Sequence, residues 1–436
     1  MLLNMVVLVI LLNLFLELAF FLNDQVTAKN NVFVPEAINE FESYRLFESN
    51  GMPLDNGKRT TYQLKWFDYT AYEQIVDERY AGAVLDEFFE LAKLGFPYQP
   101  WVQFAEPSYN GKHVNVDCDS KGFPIRRTLN PQKEQSTVFR VFVLGGSTTF
   151  GYNVSDEHTW PSFLSDILNQ RAGASGKKVQ VEVMNYGRGF YFPSQETALL
   201  IDLFRSGHRP NLVIFMDGVN WGEKQDIPQY SKKIERAIHD LQVAPNLIES
   251  LKLLKNNLQW MPMIRLTSLM KHRLFEVTSQ SGIDDKWDGD QSDFAKNVVV
   301  RFRENRKMAA QISALYGAKV LFFLQPDATY NYPINLYRLS LPDSFLKSRK
   351  WRQQFYNQIK KSSGALDFTG LFELWGKSRK AIVDDVHYSP GFNRFLAGHV
   401  AEHIDLASLI TESLNANDSE PAGALRRADC MAINSP

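Results

Sequence analysis

Cysteine is almost absent from this chain: Cys118 and Cys430 are the only two among 436 residues. A pair so far apart defines neither a disulfide framework nor a thiolate metal site, and it leaves the redox compartment open. Charge of one sign is also lacking. A formal net charge of −1 argues against a nucleic-acid binder, which would favour a clearly basic surface. No internal repeat or low-complexity block interrupts the chain, so a repeat architecture is excluded. The glycines at 145, 146 and 151 are not followed by Gly-Lys-Ser/Thr, which argues against a nucleotide phosphate loop. What is present is apolar. With 44% hydrophobic and 13% aromatic residues, the chain can bury a substantial core, and its length suits one large domain with additions.

Residues 1–22 are apolar except for Asn4, Asn13 and Glu17. About 21 helical residues span roughly 32 Å, enough to cross the hydrocarbon core of a bilayer. The competing reading is a cleaved signal peptide, with Val26-Thr27-Ala28 as its cleavage site. An apolar run longer than a usual signal core, with no Lys or Arg before it, favours a single transmembrane signal anchor. The same lack of cations leaves the positive-inside rule nothing to count.

Residues 29–130 read as an N-terminal accessory region. Its aromatics, among them Phe96, Tyr98 and Trp101, are expected to serve packing rather than sugar stacking. Pro131 and the polar stretch to Ser136 mark a boundary. From Val138 onward, short apolar runs alternate with amphipathic segments. Strands are predicted at 138–144, 179–184, 212–216 and 320–324. A helix is predicted from Thr159 as N-cap with Pro161 in its first turn, and another from Ser194 to before Gly207. Val298, Phe302, Ala309, Ile312 and Tyr316 share one helical stripe that Gly317 closes. This rhythm implies parallel βαβ units with helices on both faces of the sheet. Residues 230–295 lack it and read as a helical insertion, and 415–436 as a disordered tail.

Chemistry concentrates at two places. Val141-Phe142-Val143-Leu144 ends in Gly145-Gly146-Ser147, so Ser147 is expected at the carboxyl end of a strand, where ligand-binding groups of open α/β sheets collect. Near the C-terminus, Asp384 lies three residues before His387, close enough to orient the imidazole. A serine hydroxyl is a weak nucleophile until an imidazole takes its proton, and the imidazole needs a carboxylate to set its tautomer.

With Gly145-Gly146-Ser147-Thr148-Thr149, Gly218-Val219-Asn220 and Asp384-x-x-His387 in this order, the segment from about 138 to 405 resembles the SGNH hydrolases, also called GDSL esterases and lipases. Glycine replaces aspartate in the first block, and Trp221 departs from the third. The resemblance implies an α/β/α three-layer sandwich with a central parallel sheet, flavodoxin-like in order. It implies Ser147 as nucleophile, His387 as base, Asp384 as its orienter, and Asn220 as an oxyanion-hole donor beside the Ser147 N–H. In the second block, Asn185 to Phe190, the glycine that donates a further N–H aligns with Phe190, with Gly189 one residue earlier. Gly189 is preferred, because a phenylalanine side chain narrows the acyl pocket.

The reading is therefore a membrane-anchored serine esterase with its catalytic domain outside the cytoplasm, needing no cofactor or metal. It acts on a small-molecule, glycan or lipid ester by hydrolysis or acyl transfer; the rival is an inactive binding or assembly protein of the same fold. His399-Val400-Ala401-Glu402-His403 has the spacing of an inverted zinc motif, but reads as surface residues on a helix whose Phe392, Leu396, Val400 and Ile404 face the core. Asp217 and Asp385 read as solvated loop residues, and Asn153 and Asn417 begin glycosylation sequons.

Overall fold

The computed structural model describes residues 54–55, 58–59, 78–130, 137–175, 178–218, 220, 291–333, 336, 353, 355–361, 364–376, 379–384 and 386–416. The anchor at 1–22, most of the insertion at 230–295, Trp221, Asp385, Cys430 and the tail from 417 lie outside them. No helix among the described residues is long and apolar enough to cross a membrane. The chain divides into two compact units. One comprises residues 1–62 and 229–291, of which the described part is Leu54–Asp55 paired antiparallel with Lys58–Arg59, and Gln291. The other, residues 63–228 and 292–436, holds the site.

The second unit is built on an eight-stranded sheet. In chain order its strands are β1 (Tyr109–Asn110), β2 (Asn115–Cys118), β3 (Pro124–Arg126), β4 (Thr137–Gly145), β5 (Val179–Asn185), β6 (Leu212–Asp217), β7 (Lys319–Leu324) and β8 (Leu366–Asp367). They lie side by side in the order β8-β7-β6-β4-β5-β3-β2-β1. From β8 to β5 all neighbours are parallel. Counted alone, these five strands have the doubly wound order 2-1-3-4-5, whose switch point falls between β4 and β6. Every residue of β6 is buried, as expected of a parallel strand covered on both faces.

The sheet is mixed, not wholly parallel as expected. β3 joins β5 antiparallel through Arg126 and Asn185, and β2 and β1 continue antiparallel. Residues 109–126 are thus part of the same sheet, and the stretch around Pro131 does not separate them from it. Strands of two to four residues carry too little alternation for a periodicity argument to detect. Cys118, at the end of β2, is disulfide-bonded, whereas the sequence pattern defined no disulfide framework.

Helices cover both faces. The first helix, α1, is Glu78–Lys93, and a single turn, α2, spans Ser147–Phe150. α3 (Trp160–Ala174) starts where expected: Thr159 caps it by accepting the Ser162 amide, with Pro161 in the first turn. α4 is Pro193–Arg205, α5 is Gln291–Leu315, and α6 is Pro390–Glu402. Alternate residues Phe139, Val141 and Val143 of β4 join Trp160, Leu164 and Leu168 of α3 and Leu396 and Val400 of α6 in one core. On the other face Val298 and Phe302 of α5 pack with Leu324 of β7. Truncating a buried leucine in such a core costs about 2–5 kcal/mol, so these contacts hold the strand ends that carry the site.

Candidate active site

Ser147 stands immediately beyond β4, as the first residue of α2. Its N–H therefore has no acceptor within the helix and points out of the helix start. Gly146 is needed for close approach rather than for conformation: a Cβ there would lie 2.7 Å from Asn220 Nδ2 and 3.3 Å from the Tyr191 carbonyl oxygen. Asn220 follows β6, on the other side of the switch point, and donates from Nδ2 to that carbonyl at 2.9 Å. One N–H of its amide is held in this way. Its Nδ2 lies close against Gly146, the residue before the serine.

The histidine comes from the segment before α6. Ile382 bridges Tyr388, Val383 N–H donates to the His387 carbonyl at 2.9 Å, and Ser389 caps α6. This tight loop brings His387 Nε2 to 2.9 Å from Ser147 Oγ, and Nδ1 to 2.7 Å from Asp384 Oδ2. Asp384 Oδ1 accepts the Val386 and His387 amides at 2.7 and 2.6 Å. Burial pushes the Asp384 carboxyl up. The His387 charge and hydrogen bonds overcome that and hold it below the usual carboxylate range. An ionised acceptor at Nδ1 keeps the proton there and leaves the Nε2 lone pair facing the serine hydroxyl. The ring of Tyr152 stacks on His387, with centroids 5.6 Å apart and planes at 23°.

The structure does not bring all the expected residues together. The Gly189 N–H donates to Glu106 Oε1 at 2.5 Å, so the preferred second-block oxyanion donor is already engaged by a buried carboxylate. Phe190 next to it has a left-handed backbone at φ 63, a conformation uncommon for a bulky residue, and its ring packs edge-on against Phe96. Glu106 also accepts from the Tyr152 hydroxyl at 3.2 Å and lies 3.8 Å from Arg188 Nε. Burial pushes its carboxyl up, while Arg188 and the Gly189 amide pull it back. Nothing local in the sequence marks Glu106, which lies 83 residues before Gly189. Glu106→Ala leaves the buried Arg188 guanidinium without this carboxylate. It is expected to lower stability by about 3–5 kcal/mol in denaturant unfolding. An unchanged midpoint would show that the pair does not hold the 187–191 loop.

Other expectations are revised at Asp217, Asn153 and Trp101. Asp217 is not a solvated loop residue: it is buried at the end of β6, hydrogen-bonded to Glu196 of α4 and facing Arg306 of α5. Burial raises both carboxyls and pushes Arg306 down to about 10. Asn153 is buried and engaged by its side chain, so its sequon is closed in the folded chain. Phe96 packs against Phe104, but Trp101 is 69% exposed with Arg205 over its ring. His399 pairs with Glu402, while the ring of His403 packs on Phe368. The described residues contain no cluster able to hold a metal ion.

The fold and site define an α/β protein that presents serine, histidine and aspartate in hydrogen-bonded sequence at the ends of a doubly wound sheet. The chain is similar, at low identity and low TM-score, to solved structures of G-D-S-L lipolytic proteins and esterases. A lipolytic protein of the G-D-S-L family from Veillonella parvula is 12% identical, over 61% of this chain and 98% of its own, with a TM-score of 0.30. The esterase EstA from Pseudoalteromonas sp. is 12% identical, over 63% and 98%, with a TM-score of 0.30. An acetyl xylan esterase, AlAXEase, is 14% identical, over 61% and 100%, with a TM-score of 0.29. No protein-family model matches the chain, and no curated protein matches it.

Proposed function

We propose that this chain is a membrane-anchored serine esterase of the SGNH type, acting on an O-acyl ester of a glycan or other surface molecule. The supporting observation is the continuous chain Ser147 Oγ, His387 Nε2, His387 Nδ1, Asp384 Oδ2, with steps of 2.9 and 2.7 Å. His387 takes the hydroxyl proton as Ser147 Oγ attacks the ester carbonyl carbon. The developing oxyanion is received by the Ser147 N–H and the Asn220 amide. The imidazolium then returns its proton to the departing alcohol, leaving an acyl-serine. Water resolves this intermediate in hydrolysis, and a second alcohol in transfer. Asp384 stays ionised throughout and balances the imidazolium charge. The inactive-scaffold alternative carries no expectation that the three side chains stay in register, so their contacts favour the enzyme.

A fluorophosphonate probe tests the reading directly. Wild-type protein is expected to label covalently and Ser147→Ala not to label; equal labelling of both removes Ser147 as nucleophile. The anchor rests on the apolar run at 1–22. Alkaline carbonate washing is expected to leave the full chain in the membrane fraction, with the N-terminus unprocessed near Ala28. A washed-off protein that begins at Lys29 means a cleaved signal peptide instead.

A further inference from the structure

Ser147 lies 237 and 240 positions before Asp384 and His387 in sequence, and the segment after the serine reaches that loop through the Tyr152 ring, stacked on His387, and through one hydrogen-bonding side chain that meets Asp384. That side chain is Asn153. It follows α2 by three residues, is 2% exposed, and takes a left-handed backbone at φ 64. Asparagine tolerates this region better than most residues. The turn carries the amide out of the nucleophile's own segment and into the opposite loop. There Asn153 Nδ2 donates to Asp384 Oδ2 at 2.7 Å, onto the same oxygen that receives His387 Nδ1.

We propose that Asn153 is a positioning residue that completes the site behind Asp384, holding its carboxylate in line with the His387 ring. This rests on the serine-esterase reading above. The two backbone amides of Val386 and His387 secure only Oδ1, and Oδ2 meets the His387 ring that it has to orient, so a hold on Oδ2 independent of that ring comes from Asn153. Asn153 holds it with a neutral donor, which disperses negative charge without adding a competing cation. Dispersed charge on Oδ2 keeps the shared proton on Nδ1 when the imidazole becomes charged. The same geometry closes the Asn153-Val154-Ser155 sequon in the folded chain, since Nδ2, the atom a glycan would occupy, is buried and donating.

Two variants separate the side chain from the backbone. Asn153→Gly adopts the left-handed conformation without strain and removes the side chain with its amide. Asn153→Asp keeps size and conformational tolerance but replaces the donor with an acceptor. With p-nitrophenyl acetate as probe, Asn153→Gly is expected to lower kcat by about tenfold to a hundredfold, the scale of a misplaced catalytic group, with KM unchanged. Among the described residues, the groups facing His387 include Asp384, Ser147 and the Tyr152 ring, whose hydroxyl meets Glu106. Removing a donor from Asp384 concentrates its charge and favours the imidazolium, so the acid limb of kcat/KM moves to higher pH. A second carboxylate in Asn153→Asp moves it further. A glycine variant that folds with wild-type kcat and an unmoved acid limb overturns the proposal, as does one whose melting temperature falls while both stay unchanged. If those variants behave as wild type while Ser147 still labels with fluorophosphonate, only the role of Asn153 is lost. If wild-type protein itself does not label at Ser147, the esterase reading fails with it.

Discussion

Ser147→Ala is expected to lower kcat toward p-nitrophenyl acetate by about 10⁶-fold, and adding His387→Ala to it should cost almost nothing more. The reason is that the groups act as one unit. Without Oγ there is no nucleophile for the imidazole to activate, and without the imidazole the hydroxyl keeps its proton at neutral pH. The 2.9 Å contact between His387 Nε2 and Ser147 Oγ is what makes the two losses overlap rather than add. Residual turnover of about 10³–10⁴ over water is expected from the oxyanion donors and binding alone. Both variants should fold normally, because Ser147 is only the first residue of a single helical turn and His387 is partly exposed. Steady-state kinetics on the two single variants and the double variant give the answer. Losses that multiply would mean that serine and histidine work independently, and the proposed mechanism would be wrong.

Asn220→Ala is expected to lower kcat by about 10²–10³ with KM nearly unchanged. An oxyanion donor acts on charge that exists only in the transition state, so its removal spares ground-state binding. The amide also donates to the Tyr191 carbonyl at 2.9 Å, and losing that bond costs about 0.5–1.5 kcal/mol of stability. A small fall in melting temperature therefore accompanies the kinetic loss without explaining it. Asn220→Asp should be worse than alanine for turnover, since it puts an acceptor where the oxyanion forms. A variant that melts early yet turns over normally per folded molecule would falsify the donor role and leave Asn220 as a loop fastener.

Much of this arrangement was legible from local pattern. The apolar runs of β4 to β7 and the Thr159 cap follow from burial and capping, which act over a few residues. Asp384 and His387 are three residues apart, so a tight loop alone suffices to join them. Ser147 and Asn220 each follow a buried strand, and adjacent strand ends in a doubly wound sheet converge at the switch point. The short antiparallel strands β1 to β3 left no such trace, because two to four residues cannot establish a period. The engagement of Gly189 by Glu106, the burial of Asp217 against Glu196 and Arg306, and the hold of Asn153 on Asp384 were decided only by tertiary structure. Each is a contact between polar groups far apart in sequence. Polar side chains have no periodic signature, and whether one is solvated, glycosylated or buried against a partner depends on which distant segment the fold brings beside it.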